Sequence, residues 1–206
     1  MNTIRTIPKV QSKEIRSNMN KKNLSEIYRS IDDLLLQKEN VIVAIDGNSA
    51  AGKSTLAHLI SCTFDCNIIH MDDFFLRPEQ RTLERLKEIG GNVDYERFEE
   101  EVVTGIHSRK SFNYRPYDCK RMKLKEEVYV EPKKLNVIEG VYSMHPSLTQ
   151  DYDLKIFLQV KNEEQKKRIL KRNGELMYKR YLEEWIPKEN SYFLEFNIKE
   201  KCDIMY

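Results

Sequence analysis

The chain has 206 residues, 40% hydrophobic and 33% charged, which is enough apolar material for one domain core inside a heavily charged surface. Its 35 basic and 33 acidic residues leave a net charge of +2, too even a balance for a general nucleic-acid binder, which carries a marked excess or a clear basic face. The opening MNTIRTIPKVQSKEIRSNMNKK has no apolar signal core, and no stretch approaches the roughly eighteen apolar residues of a membrane span, so a cytoplasmic protein is expected.

In chain order, residues 1–40 read as a polar, helix-prone extension. Ile27, Ile31, Leu34 and Leu35 fall at helical spacing in LSEIYRSIDDLLLQ and predict a helix with one apolar stripe, packed on a domain that spans 41–206. VIVAID (41–46) reads as a fully buried strand, short and β-branched. NIIHM (67–71), LNVIEG (135–140) and LKIFLQV (154–160) resemble it, and CDIMY at 202–206 is a candidate fifth. Helical segments separate several of these runs. The expected fold class is therefore α/β: a mostly parallel five-stranded sheet with helices on both faces. Between the second and third strands, residues 76–134 form an insertion with a helical stretch, YERFEEEVVTGI, and one hairpin, FNYRPYDCKRMKLKEEVYVEP. The four cysteines include no CxxC pair. Cys62 and Cys66 stand four apart, on or near one helix, with nothing to complete a zinc set, so reduced thiols are expected.

The segment after the first strand carries the chemistry. Gly47-Asn48-Ser49-Ala50-Ala51-Gly52-Lys53-Ser54 satisfies GxxxxGK[ST], between a predicted strand and a predicted helix. Gly47 and Gly52 allow backbone angles that turn successive N–H groups inward around a phosphate, and the helix starting near Lys53 adds its positive end. Lys53 supplies a mobile charge for the β- and γ-phosphates, and the Ser54 hydroxyl is a ligand for Mg²⁺. The alternative is a glycine-rich turn that matches by chance. No NKxD guanine-reading motif and no strand ending in a DE pair is present, which leaves a small-molecule kinase among P-loop proteins.

Two carboxylates, Asp72 and Asp73, follow the second strand. Ligands bind outside the carboxyl ends of strands in such sheets, and in an extended segment only one of two neighbours faces a given side. One aspartate is placed to orient an acceptor hydroxyl and take its proton. The alternative is a pair of turn acids or distant Mg²⁺ partners. Glu139, at the end of the third strand, is a candidate to hold Mg²⁺ through water, or else an exposed strand-end acid. Further on, Arg168 and Arg172 in KNEEQKKRILKRNG lie four apart on one helical face, which alone reads equally as a solvated basic surface.

Together GNSAAGKST, MDDFF, VIEG and YDLKIFLQV with the basic helix behind it resemble the uridine kinase and nicotinamide riboside kinase group of P-loop kinases, relatives of phosphoribulokinase. The resemblance runs from about Val41 to the C-terminus. It implies a nucleotide cradle of Gly47, Asn48, Ser49, Ala50, Ala51, Gly52, Lys53, Ser54 and Thr55, with ATP and Mg²⁺ as cofactors. It also implies Asp72 as the catalytic base. Asp94 in NVDYERF is implied as a ligand of ribose hydroxyls, and Tyr117 in RPYDC as a contact to the nucleobase; without the family these are equally a helix N-cap and a turn aromatic. Arg168 and Arg172, with Lys171 a weaker candidate, are implied as a lid within about 161–185 that closes over the phosphates, a task the planar arginine fork suits.

The match has departures. Where the group carries an aromatic residue and a histidine to read a pyrimidine, this chain has Cys119 and Met122. Arg172 is followed by Asn173-Gly174 rather than by an aspartate. Arg81 or Arg85 could meet an anionic group of the substrate, or be surface charge. The expectation is a kinase transferring the γ-phosphate of ATP to a primary hydroxyl of a nucleoside or similar small molecule, without membrane or nucleic-acid partner and with oligomeric state open. A kinase of a non-nucleoside alcohol, or a nucleotide-sensing regulator without kinase activity, are the alternatives.

Overall fold

Strand β1 (Val41–Gly47) is buried at every position, and its alternate side chains feed two cores. Ile42 and Ala44 join one, with Phe98, Phe157, Tyr192 and Phe193. Val41, Val43 and Ile45 join the other, with Ile27, Ile31, Leu56 and Ile60. A strand covered on both faces has no polar side to show, hence the unbroken apolar run.

This arrangement comes from a computed structural model, which describes residues 21–148 and 151–206. The expected extension over 1–20 lies outside the described residues. The helix predicted after it is α1 (Lys21–Gln37). Its Ile27 and Ile31 are fully buried against the sheet, while Leu34 and Leu35 pack at the margin of that core.

β2 (Cys66–His70), β7 (Leu135–Glu139), β8 (Leu154–Leu158) and β9 (Ile204–Met205) complete the main sheet, in the order β2-β7-β1-β8-β9 with every pairing parallel. The expected five-stranded α/β sheet is thus observed, each strand after the first ending one or two residues sooner than predicted. The register sets His70 opposite Glu139, Glu139 opposite Ile45, and Gly47 opposite Leu158, so the carboxyl ends finish level. On the faces lie α1, α2 (Lys53–Ser61), α6 (Asn162–Arg180) and α7 (Ile186–Glu195). Cys62 caps α2 and Cys66 opens β2, so the two thiols do not share a helix. No helix among the described residues is long and apolar enough to cross a membrane.

The insertion differs from the expected single hairpin. After α3 (Leu83–Lys87), α4 (Tyr95–Phe98), a π-helical stretch Glu99–Val103 and α5 (Thr104–Ser108), the chain forms two short antiparallel ladders. β3 (Phe112–Tyr114) pairs with β6 (Val128–Val130), and β4 (Tyr117–Asp118) pairs with β5 (Lys123–Leu124). Arg115 and Pro116 interrupt one side, where proline has no N–H to continue a ladder.

Candidate active site

The loop between β1 and α2 is bent by residues with left-handed backbone: Gly47 (φ 133°), Ala50 (φ 62°) and Gly52 (φ 113°). At Gly47 a Cβ would run into the carbonyl of Leu158 on the neighbouring strand, so glycine is required for space as well as angle. The amides of Ala50, Gly52, Lys53 and Ser54 make no hydrogen bond among the described residues. These four donors, interrupted only by Ala51, whose amide bonds Asn48 O at 3.0 Å, form a nest at a helix N-terminus of the kind that suits an anion. Lys53, nearly buried, curls back so that Nζ donates to the carbonyls of Gly47 (2.8 Å) and Asn48 (3.0 Å). Thr55 is buried in the first turn of α2.

Below the nest, Glu139 is 5% exposed, not the exposed strand-end acid that was one alternative. Burial works against its charge. The hydrogen bond from His70 Nδ1 (2.5 Å), the charges of His70 and Lys53, and the Ser54 hydroxyl outweigh it and hold the carboxyl below its ordinary range. Ser54 and Glu139 thus set two hard oxygen donors close to each other beside the nest. That fits Mg²⁺, which takes one or two protein oxygens and completes its shell with water and phosphate.

The acid pair sits on a 3₁₀ turn, Met71–Phe74, and not on the extended segment expected from the sequence. The turn still separates the two: Asp72 is exposed and Asp73 is buried. Gly140 (φ 147°) lets the turn approach β7, since a Cβ there would lie 2.6 Å from Met71 Cβ. The charge of Asp72 reaches three groups on different elements. After burial, it helps to push up the carboxyl of Glu189, the hydroxyl of Tyr181 and the thiol of Cys119. The charge of Asp72 is therefore felt on α7, on the π-helical stretch before it and in the insertion.

Asp94 and Tyr117 lie in the insertion. Asp94, 2% exposed, is the N-cap of α4: Oδ1 accepts the Arg97 amide at 3.3 Å. Oδ2 accepts from Gln80 Nε2 (2.9 Å) and pairs with Arg97 Nε (3.3 Å). The Asp94 amide donates to Phe74 O at 2.7 Å, which fastens the cap to the acid turn. Tyr117 is a buried residue of β4 rather than a turn aromatic, and its hydroxyl donates to Met122 Sδ at 3.4 Å. Arg85 is committed to structure. It forks onto Glu96 with two 2.7 Å bonds, reaches Gly91 O and Val93 O, and stacks on Tyr95 at 4.0 Å. It is not the anion reader that was one option from the sequence.

The basic helix is not simply a solvated surface. Arg168 Nη1 donates to Ala50 O (3.1 Å) and Ala51 O (3.2 Å), and the buried Gln165 donates to Ser49 O at 3.0 Å. Arg172 Nη2 donates to the hydroxyl of Tyr181 (3.0 Å), in the π-helical stretch Tyr181–Trp185. Tyr181, its hydroxyl bonded by Arg172, also feels the charge of Asp72. Lys171 lies on the exposed side of α6, and Gly174 (φ 77°) breaks the helix just after Asn173.

Two residues absent from the sequence reading complete the site. Glu189, on α7 and 3% exposed, accepts the Ser49 amide at 3.0 Å and the Ser49 hydroxyl. Burial pushes its carboxyl up against the pull of Ser49 and Lys53. Asp46, wholly buried, accepts from the amides of Gly47 (2.7 Å) and Met144 (3.0 Å) and from Tyr192 Oη (2.8 Å). Burial raises it to about 6. One signal was available for Glu189: it stands between Ile186, Tyr192 and Phe193 at helical spacing, a carboxylate on an apolar stripe.

No family model matches the chain, and no curated protein matches it. Solved structures do. A "Possible Uridine Kinase" from Bacillus stearothermophilus is 19% identical, with a TM-score of 0.63 over 88% of this chain and 99% of that one. A protein named as a fructose transport system kinase, from Silicibacter sp. TM1040, is 21% identical, with a TM-score of 0.68 over 89% and 98%. D-glycerate 3-kinase from Cryptococcus neoformans is 13% identical, with a TM-score of 0.57 over 80% and 86%. The fold of this chain is that of these three structures.

Proposed function

We propose that the protein is a phosphotransferase that uses ATP with Mg²⁺ to phosphorylate the primary hydroxyl of a nucleoside or similar small alcohol. What supports this reading is that Asp72 and the nest of unbonded amides share a neighbour: Glu189 feels the charge of Asp72 and accepts the Ser49 amide of the loop. A carboxylate across from a phosphate cradle is what transfer to an alcohol requires; nucleotide binding alone has no use for it.

In this reading the amides of Ala50, Gly52, Lys53 and Ser54, with the ammonium of Lys53, hold the phosphates. Lys53 gives up its bonds to Gly47 O and Asn48 O to do so. Ser54 and Glu139 would hold Mg²⁺, which when bound neutralises charge on the phosphates. Asp72 orients the acceptor hydroxyl and accepts its proton as the bond from the acceptor oxygen to the γ-phosphorus forms and the bond from that phosphorus to the departing ADP oxygen breaks. Asp94 and Tyr117 line the acceptor side. Arg172 meets the transferring group, and Arg168 fixes the loop through the carbonyls of Ala50 and Ala51. The names of the similar structures span a nucleoside, a sugar and a hydroxy acid, so they support the reaction class and leave the acceptor open.

An ADP-release assay over a panel of nucleosides, ribosides and small alcohols tests the proposal. ADP formation that depends on one acceptor class supports it. Nucleotide binding with no acceptor-dependent turnover would favour a nucleotide-sensing regulator instead.

A further inference from the structure

Four arginines fall between residues 77 and 97, and three of them have carboxylate partners. Arg77 lies 3.6 Å from Glu79, Arg85 pairs with Glu88 and Glu96, and Arg97 pairs with Asp94 and Glu101. Arg81 has no carboxylate within ion-pair distance among the described residues. It is nonetheless held in place: Nε (3.1 Å) and Nη2 (2.9 Å) both donate to the carbonyl of Leu76, and Nη2 also reaches the Tyr117 hydroxyl at 3.4 Å. Nη1 makes no hydrogen bond among the described residues.

An exposed arginine that serves only solubility is free to move. Arg81 is instead clamped through Nε and Nη2, which leaves Nη1 for a further acceptor, and its guanidinium carbon lies 6.0 Å from the Tyr117 ring. β4, which carries Tyr117, packs against the Met71–Phe74 turn that carries Asp72, and Cys119 directly follows β4. That thiol is raised first by burial; the charge of Arg81 pulls it down and the charge of Asp72 pushes it up, so it lies within reach of both. Tyr117, Met122 and Cys119 around this spot offer a hydroxyl already bonded to a thioether, and an exposed thiol. That set is poor at reading the donor and acceptor edges of a nucleobase and well suited to the carbon skeleton of a small molecule.

We propose that the acceptor is an anionic alcohol, carrying a carboxylate or phosphate, and that Arg81 receives this anion while Asp72 takes the hydroxyl proton. The inference rests on the kinase reading for its second half only. Nη1 of Arg81 can donate a charge-assisted hydrogen bond to an oxygen of either anion, so carboxylate and phosphate acceptors share one chemistry at this residue.

Two experiments test it. The first needs no turnover: alkylation of Cys119 by iodoacetate and by iodoacetamide, followed by mass spectrometry, with Cys62 as internal control. The ratio of the two rates reports the local field and cancels any change in thiolate fraction. The expected result is a ratio at Cys119 that drops severalfold in Arg81→Gln and is unchanged at Cys62. An equal ratio in both proteins would overturn the site.

The second is ADP release with matched acceptors: glycerate against glycerol, and a sugar monophosphate against the free sugar. These pairs tell carboxylate from phosphate. The anionic member of a pair should be preferred, with KM raised about ten- to a hundredfold in Arg81→Gln and kcat changed less. Preference for uncharged acceptors, with Arg81→Gln at wild-type kcat/KM, overturns the inference and leaves the kinase standing. If no acceptor, charged or neutral, supports turnover, the kinase reading fails, and the alkylation ratio alone decides whether Arg81 forms an anion site.

Discussion

Glu189 Oε2 accepts the backbone amide of Ser49 at 3.0 Å, joining the last long helix to the phosphate loop across 140 positions of sequence. A buried carboxylate thus stands next to an anion nest, with Lys53, Asp72 and Tyr142 within reach of its charge. Its raised pKa is the trace of that conflict: burial and Asp72 favour the neutral form, while Ser49 and Lys53 favour the charged one.

Nucleotide binding should therefore be linked to protonation of Glu189. Phosphate charge delivered beside Lys53 raises the cost of an ionised Glu189, so the bound state favours the proton. Affinity for ATP is expected to weaken as pH rises through the pKa of Glu189, by up to roughly tenfold per pH unit when one proton is taken up. In Glu189→Gln, which keeps an acceptor for the Ser49 amide, this part of the dependence disappears. Calorimetric titration from pH 5 to 8, wild type against variant, measures it; identical slopes would show that Glu189 does not exchange a proton on binding.

Asp72→Asn should bind nucleotide with near wild-type affinity and lose roughly two to four orders of magnitude in acceptor-dependent turnover. Steady-state kinetics alongside a nucleotide-binding assay separates the two. Full turnover in this variant would remove Asp72 as the base.

Asp46 makes a prediction about stability. Its pKa is raised from 3.8 to about 6 in the folded protein, so between these values the native state holds a proton that the unfolded chain has released. Stability from this group is then full below about pH 4 and falls as pH rises towards 6, by about 3 kcal/mol in total, after which it levels off. Urea unfolding of wild type and Asp46→Asn across that window should show the wild type losing ground to the variant as pH rises.

Ile31→Ala should cost about 2–5 kcal/mol in unfolding free energy, because the side chain is fully buried between α1 and the sheet. A helix that merely decorated the domain would give less than about 1 kcal/mol in the same denaturant titration.

Local physics explains which of these features could be read from the chain. The loop at Gly47–Thr55 is specified by its own backbone angles and by the strand and helix on either side, so adjacent residues suffice to identify it. The ends of β2 and β7 are just as local, which is why Asp72 and Glu139 could be singled out from the chain, while the pairing of His70 with Glu139 needed the register of the two strands. Glu189, Gln165 and Asp46 owe their roles to partners as much as 146 residues away, and a short sequence window carries only a faint trace of such pairings. The acid turn was misread because alternation was assumed beyond the end of β2, where the chain had already tightened into a 3₁₀ turn. Arg85 and Arg81 looked alike as letters, and only their partners separate them.

The ties from α7 and β9 to the sheet also bear on how the protein is made. Ser49, Asp46 and β8 receive Glu189, Tyr192 and Ile204, all supplied by the C-terminal fifth of the chain. On a translating ribosome the phosphate loop emerges early and must wait for these partners, since contacts of such long sequence separation close late. Until then Asp46 and the apolar face beneath it stay uncovered, so newly made chains should depend on chaperones most heavily until residues 186–206 have emerged.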